Sequence, residues 1–223
     1  MDDPALEPPL LRHALRGLAR LNRLSATAST LARALRLHIG NDTRPWRVLD
    51  VACGGGDVTL DIQRRLQRAK LPVTLHGCDI SHTAIGHAQQ CANAAGFDEM
   101  RYFHCDVLND SLPGDYDAMI CSLFLHHLDQ PAVEHVLRSM ARQSRLVIVD
   151  DLMRSRTIWI GAWLTTRLVT RSPVVHVDGP RSVQGAFTVD EMRSLAARAG
   201  LNDVTIRERF VGRMLMEWVR PSG

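Results

Sequence analysis

The sequence predicts an α/β fold, a doubly wound sheet of seven mostly parallel strands that closes with an antiparallel hairpin. Three observations predict it. Short apolar runs alternate with amphipathic helical segments from Trp46 to Val149, the pattern of a parallel sheet covered on both faces. The first of these runs leads into the glycine-rich turn Gly54, Gly55, Gly56, which opens the next helix in the Rossmann-like manner. The chain finishes not on another helix but on two apolar segments meeting at Val211-Gly212, as in a hairpin.

Two amphipathic helices are expected first, over 1–44. From Leu10 to Leu24 leucines fall at 11, 15, 18 and 21, with Arg12, Arg16, Arg20 and Arg23 opposite them; Thr30 to Ile39 repeats the spacing with Leu31, Leu35 and Ile39. Such a pair either packs on the domain as a lid or lies on a membrane surface. The region 45–150 then alternates. Trp46–Val51 is the first strand, followed by a helix with Val58, Ile62, Leu66 and Ala69 on one face. Val73–Asp79 is the second strand, and its helix buries Ala84, Ile85, Ala88, Cys91, Ala92 and Ala95 before Gly96 ends it. Tyr102–Cys105 and Tyr116–Cys121 are the third and fourth strands. A helix from Pro131 turns Val133, Leu137 and Met140 inward, and Leu146–Val149 is the fifth strand.

The region 151–187 differs in character. A helix from Arg156 to Val169 sets Trp159 and Trp163 one turn apart, and an irregular stretch holding His176 follows. Over 188–223, Thr188 caps a helix with Met192, Leu195 and Ala199 on one side. Val204–Phe210 and Arg213–Arg220 make the hairpin. With no internal repeat, low-complexity tract or linker, 1–223 reads as one domain.

Composition narrows the function classes. The chain has 223 residues, 45% hydrophobic and 23% charged, ordinary values for a globular domain. A net charge of +3 and a pI near 8.8 come almost wholly from scattered arginines, interspersed with acids, so no basic stripe for nucleic acid forms. The five cysteines make no CxxC pair; they read as small core residues of a reducing compartment, with neither a disulfide frame nor a metal site. The acidic, proline-rich start resembles no secretory or transit leader. The most apolar stretch, Ile158 to Leu164, is far short of the roughly 20 residues a membrane span requires. A cytoplasmic location is expected.

The most informative segment is VLDVACGGGD, from Val48 to Asp57. Glycines at a strand-to-helix turn let backbone approach a ligand without a Cβ in the way. A dinucleotide fingerprint needs a third glycine where Thr59 or Asp57 stands, and a phosphate-binding loop needs Gly-Lys-Ser/Thr; neither is present. Asp57 at the helix start would also compete with a pyrophosphate for the positive end of the helix. A ligand without phosphate fits better. Asp79, ending the second strand, can accept bonds from both ribose hydroxyls, or it caps the following helix. Asp106, ending the third, can reach an adenine amine, or it makes a turn. Acids ending three successive strands beside a glycine turn favour the ligand-binding alternative for both.

These segments resemble the class I S-adenosylmethionine-dependent methyltransferases, and in particular the ubiquinone/menaquinone-biosynthesis branch. The resemblance runs from about Trp46 to Val149. In the family's D-x-G-x-G-x-G turn the matching positions are Asp50, Ala52, Gly54 and Gly56, with Cys53 inside the turn and Ala52 in place of the first glycine. The expected effect of Ala52 is a slight shift of the turn. The resemblance implies S-adenosylmethionine as cofactor, Asp79 on its ribose, Ile80 against adenine, Asp106 with Val107 at the adenine edge, and Ser122 with Leu123 near the sulfonium. It also makes 151–187 the substrate cap.

The methyl acceptor is expected beyond the fourth strand, at CSLFLHHLDQ. The Asn/Asp-Pro-Pro-aromatic motif of nucleic-acid amine methylation and the Pro-Cys nucleophile of cytosine methylation are both absent, which argues for a small molecule and against nucleic acid. A phenol titrates near pH 10, so a base must take its proton. His126, His127 and, in the irregular stretch, His176 are the candidates, with Asp150 or Asp151 behind them. Alternatively the histidine pair only tops a helix, one ring bonded to backbone and one in solvent. The Trp159/Trp163 helix is either an apolar wall over an aromatic acceptor or ordinary core. The stretch from Thr170 to Phe187 resembles a bacterial subgroup associated with type III polyketide pathways, which implies secondary metabolism and a phenolic acceptor. O-methylation of such a compound is the leading expectation. C-methylation of a quinone-type ring and a non-catalytic cofactor-binding partner protein are the alternatives, in a monomer or homodimer.

Overall fold

The computed structural model describes residues 26–154, 185–209 and 212–221. The expected Leu10–Leu24 helix, the Trp159/Trp163 helix and His176 lie outside the described residues. Chain packing divides into two compact units, one carrying 26–120 with Gln143–Arg145, the other Cys121–Arg142 and the chain from Leu146 on.

In the first unit α1 (Thr27–Ile39) buries Leu31, Leu35 and Ile39, the spacing read from the sequence. Gly40, at φ 54, ends it and donates its N–H to the Arg36 carbonyl. Strand β1 (Trp46–Val51) pairs in parallel with β2 (Val73–Asp79), from Trp46↔Val73 to Val51↔Cys78. β2 in turn pairs in parallel with β3 (Tyr102–His104), from Gly77↔Tyr102 to Asp79↔His104. β1 is buried at every position but Arg47, as a strand covered on both faces must be.

Helix α2 (Asp57–Arg68) buries Val58, Ile62 and Leu66. Ala69, expected on that face, is instead the exposed residue at which the helix stops. A buried glutamine on the same helix, Gln63, donates to the Val73 carbonyl at 2.9 Å and accepts from the Leu75 N–H at 2.8 Å, tying α2 to the start of β2. Helix α3 (His82–Ala94) begins at Ser81, whose hydroxyl accepts the Ala84 N–H. It buries Ala84, Ile85, Ala88 and Ala92; Cys91 and Ala95, also expected inside, are only half-buried. Its small inner face permits close approach. A Cβ on Gly56 would come within 2.7 Å of the Ala88 Cβ.

The sheet has seven strands in the order β3-β2-β1-β4-β5-β7-β6, with β4 at Ala118–Ser122, β5 at Leu146–Leu152, β6 at Thr205–Arg209 and β7 at Arg213–Val219. This is the mostly parallel α/β sheet with a terminal antiparallel hairpin that the sequence predicts. In the second unit one tight helical turn (Leu125–His127) precedes α4 (Gln130–Gln143), which fully buries Val133, Val136, Leu137 and Met140. β5 and β7 are antiparallel from Leu146↔Val219 to Leu152↔Arg213, and β6 and β7 from Thr205↔Glu217 to Arg209↔Arg213. Helix α5 (Val189–Arg198) has a complete capping box. Thr188 accepts the Glu191 N–H, while the Glu191 carboxylate accepts the Thr188 N–H at 2.8 Å.

Strand limits differ from expectation at several ends, by one residue at the end of β4 (Ser122), the start of β6 (Thr205) and the end of β7 (Val219). β3 stops at His104, before Cys105, and β4 starts at Ala118 instead of Tyr116. β5 does not end at Val149 but runs through Asp150 and Asp151 to Leu152. It can do so because each carboxylate has a partner inside the protein, as the site geometry makes plain. Among the described residues no helix is long and apolar enough to cross a membrane.

Candidate functional site

β1 delivers the chain into a turn of three left-handed residues, Ala52 at φ 56, Gly54 at φ 55 and Gly56 at φ 71, before α2 begins at Asp57. The Cys53 N–H donates to the Cys78 carbonyl at 2.9 Å, and the Gly56 N–H to the Cys53 carbonyl at 3.1 Å, so the turn is stitched to β2 and closed on itself. The two glycines do different work. A Cβ on Gly56 would also lie 2.8 Å from the Tyr102 ring, which makes this residue the packing point for α3 and β3. A Cβ on Gly54 would meet nothing within 4 Å, so that position is open space beside exposed backbone.

Asp79 is tied to this turn. One oxygen accepts the Gly54 N–H at 2.8 Å and the other the Ser81 N–H at 2.9 Å. A carboxylate has about four lone-pair sites, so both oxygens keep capacity for a further donor. The alternative in which Asp79 merely caps α3 does not describe it, since Ser81 is the capping residue. Next to it Ile80 is 61% exposed, one of few large apolar side chains so placed among the described residues.

Asp106 accepts the Leu108 N–H at 3.0 Å and the Asn109 amide at 2.8 Å. The Asn109 bond first, then the Leu108 bond, holds its carboxyl below the usual range. It therefore makes the turn anticipated as its simpler role, half-buried and ionised, while Val107 beside it is buried. Asp50 behaves differently again. It is 1% exposed, and one oxygen accepts the Thr59 hydroxyl at 2.5 Å. Burial, reinforced by the nearby Asp57 and Asp79 charges, pushes its carboxyl up to about 7. Burial also raises the Cys53 thiol well above its ordinary value, so it is held as a neutral thiol packed in the turn.

In the second unit β4 ends at Ser122, and Leu123 takes left-handed backbone at φ 54, a strained conformation for a leucine. Its N–H donates to the Asp150 carbonyl at 3.1 Å. His126 is 8% exposed. Its Nδ1 lies 2.6 Å from Asp151 Oδ1, and its backbone N–H donates to the other Asp151 oxygen at 3.3 Å. The ring partner is thus a carboxylate, not the backbone group that a mere helix-capping pair would use. His127 is exposed and lies with its ring centroid 4.0 Å from that of His126, tilted by 40°. Asp150 pairs with Arg213 at 3.0 Å, and burial raises its carboxyl to about 6 despite that cation.

Thr59, Arg213 and Gly185 had no part in the expected site. A Cβ on Gly185 would stand 2.7 Å from the His126 carbonyl, so the chain returns tightly over the histidine there. Thr59 sits one turn into α2 from the glycines, a spacing that was legible; Arg213 and Gly185 are far along the chain and carry no local signal. A cavity of about 620 Å³ in the first unit, lined by Gln63, Pro72, Phe97 and Met100 among others, includes none of the expected site residues. Turn chemistry, not cavity size, marks the site.

Residues 48–145 match the methyltransferase domain family. The chain is 28% identical over 131 residues to a ubiquinone biosynthesis O-methyltransferase of Methylococcus capsulatus, covering 56% of this chain and 53% of that one. It is 29% identical over 134 residues to a demethylmenaquinone methyltransferase of Thermus thermophilus, covering 58% and 59%. The chain thus spans between half and two thirds of the length of these curated relatives. Its fold is similar to the crystal structure of magnesium protoporphyrin IX methyltransferase from Synechocystis PCC 6803 with bound SAH, at a TM-score of 0.60 and 19% identity, over 87% of this chain and 82% of that one.

Proposed function

We propose that the chain is a class I methyltransferase, its residues 48–145 matching the methyltransferase domain family, and that it transfers the methyl group of S-adenosylmethionine to a small-molecule acceptor. The observation that carries the proposal is the Gly54–Asp79 bond at an open glycine turn. There a backbone N–H fixes a carboxylate that still has acceptor capacity, with exposed Ile80 alongside. Those features fit a nucleoside without phosphate: Asp79 takes ribose hydroxyls, Ile80 packs against adenine, and Asp106 with Val107 borders the base. Asp50, Ala52, Cys53, Gly54 and Gly56 shape the turn. The assignment of Ser122 and Leu123 to the sulfonium end rests on family resemblance.

When bound, S-adenosylmethionine supplies an electrophilic methyl on a good leaving group. What is asked of the protein is alignment of the nucleophile within about 3–3.5 Å and exclusion of water. For a phenolic acceptor it must also take a proton. His126 is the residue we assign to that task, because Asp151 at Nδ1 favours the tautomer whose Nε2 accepts. His127 and His176 remain candidates on sequence grounds alone. O-methylation of a phenolic or polyketide compound is the reading we favour, in line with the O-methyltransferase names among the relatives. The demethylmenaquinone methyltransferase among them supports C-methylation of a quinone-type ring as the second.

The test is incubation with methyl-labelled S-adenosylmethionine and a panel of phenols, alkylresorcinols and quinols. Labelled product is expected with at least one phenol, and locating the labelled carbon on oxygen or on the ring separates the two readings. A chain that binds S-adenosylmethionine yet methylates none of the panel contradicts the acceptor class.

A further inference from the structure

Asp50 has a property that binding-site shape does not explain. Its Oδ1 is buried with no hydrogen-bond partner among the described residues, while Oδ2 accepts the Thr59 hydroxyl. The charged groups that act on it are acids, Asp57 at the start of α2 and Asp79 at the end of β2. Among the described residues no lysine, arginine or histidine is one of them. The Cys53 thiol and Tyr102 phenol nearby are held neutral, each chiefly by burial. A buried carboxylate lacking a counter-charge is costly, and such a group keeps its proton instead. Immediately after Asp50 comes the open glycine turn. Three carboxyls gathered there, one of them sealed and half-satisfied, call for a cationic ligand.

The donor proposed for this turn is such a ligand, with a fixed sulfonium and an α-ammonium. We propose that Asp50 is its proton-exchanging counter-charge: a carboxyl that holds its proton in the free protein below neutral pH and ionises when the donor's positive charge arrives, so that binding there releases a proton to solvent. The balance is simple. Asp50–COOH and the cationic donor become the Asp50 carboxylate, the bound cation and one H⁺, with the Thr59 hydroxyl donating throughout. The inference rests on the donor-binding reading. It adds that donor affinity falls as pH drops below neutrality, a property that a permanently ionised aspartate would not confer.

The test is calorimetric titration of the full chain with S-adenosylmethionine, in pairs of buffers matched in pH but differing in ionisation enthalpy. Burial raises this carboxyl to about 7, so proton release is expected to grow as the pH is lowered from 8 to 6. Asp50→Asn should bind the donor without this release. Thr59→Val, which removes the carboxylate's remaining hydrogen bond, should raise the release at pH 7 above that of the wild-type protein and keeps the test open if the asparagine variant folds poorly. S-adenosylhomocysteine, which retains the ammonium but lacks the sulfonium, identifies the charge that Asp50 answers. Equal release by both ligands assigns the ammonium, and release by the donor alone assigns the sulfonium. Donor binding with no proton exchange at pH 6, or release that persists in Asp50→Asn, overturns the inference while leaving the donor reading intact. Absence of donor binding overturns both.

Discussion

At the residue scale the turn after β1 turns on Ala52. Its φ of 56 is a conformation that glycine adopts freely and that costs an L-residue roughly 1–2 kcal/mol. The expectation was that alanine would shift the turn slightly; Ala52 stands in a left-handed conformation in which its Cβ bears the strain. Ala52→Gly should therefore stabilise the chain by up to about 1 kcal/mol, after the extra freedom glycine gains in the unfolded state. Urea unfolding checks this, and a lower midpoint for the variant would show that Ala52 makes contacts outweighing its strain. Leu123, at φ 54, pays a comparable cost at the end of β4, with its N–H held by the Asp150 carbonyl. The glycines themselves were legible as a turn. What could not be read from sequence was their division of labour, because Gly56 abuts Ala88 and Tyr102, residues brought to it only by the fold.

At the element scale, periodicity located each described helix, and its limits mark where the sequence stops informing. Met192 and Leu195 lie on the buried face of α5 as read, and Thr188 caps it with Glu191 closing the box. Burial on one side leaves a short helix dependent on its first turn, so Thr188→Ala should cost about 1 kcal/mol, with a typical range of roughly 0.5–2. Thermal or urea unfolding measures it, and Thr188→Asp, which retains an acceptor, should recover most of the loss. The error in β5 has a different origin. Two consecutive acids look like a strand terminus, since buried charges are rare without partners. Asp150 finds Arg213 at the start of β7, and Asp151 finds His126 ahead of α4. Both partners belong to other elements, and the reading of one segment at a time cannot see them. The same limit hid the carboxylate behind His126. The histidine pair was visible in Leu125–Leu128, but the residue that orients its ring was not.

At the scale of the whole molecule, strand order runs outward from β1 toward β2 and β3 on one side and β4 and β5 on the other. The carboxyl end of β1 is therefore a topological switch point, where open α/β sheets bind ligands. That much was legible from alternation of elements and one glycine turn, because both are local patterns that fix global topology. The relative standing of the three acids was not. Asp50 is sealed, Asp79 grips the turn, and Asp106 holds its own loop, distinctions set by burial and hydrogen bonds that strand-end position does not encode. Of the three, Asp79 bears most directly on whether this turn holds a nucleoside. Replacing it with alanine removes charge-assisted hydrogen bonds worth roughly 1.5–3 kcal/mol each. Calorimetric titration of wild-type and Asp79→Ala protein with S-adenosylmethionine should then show affinity at least about tenfold weaker in the variant. Equal affinity in the two proteins would mean that the cofactor, if it binds, does so somewhere other than the glycine turn.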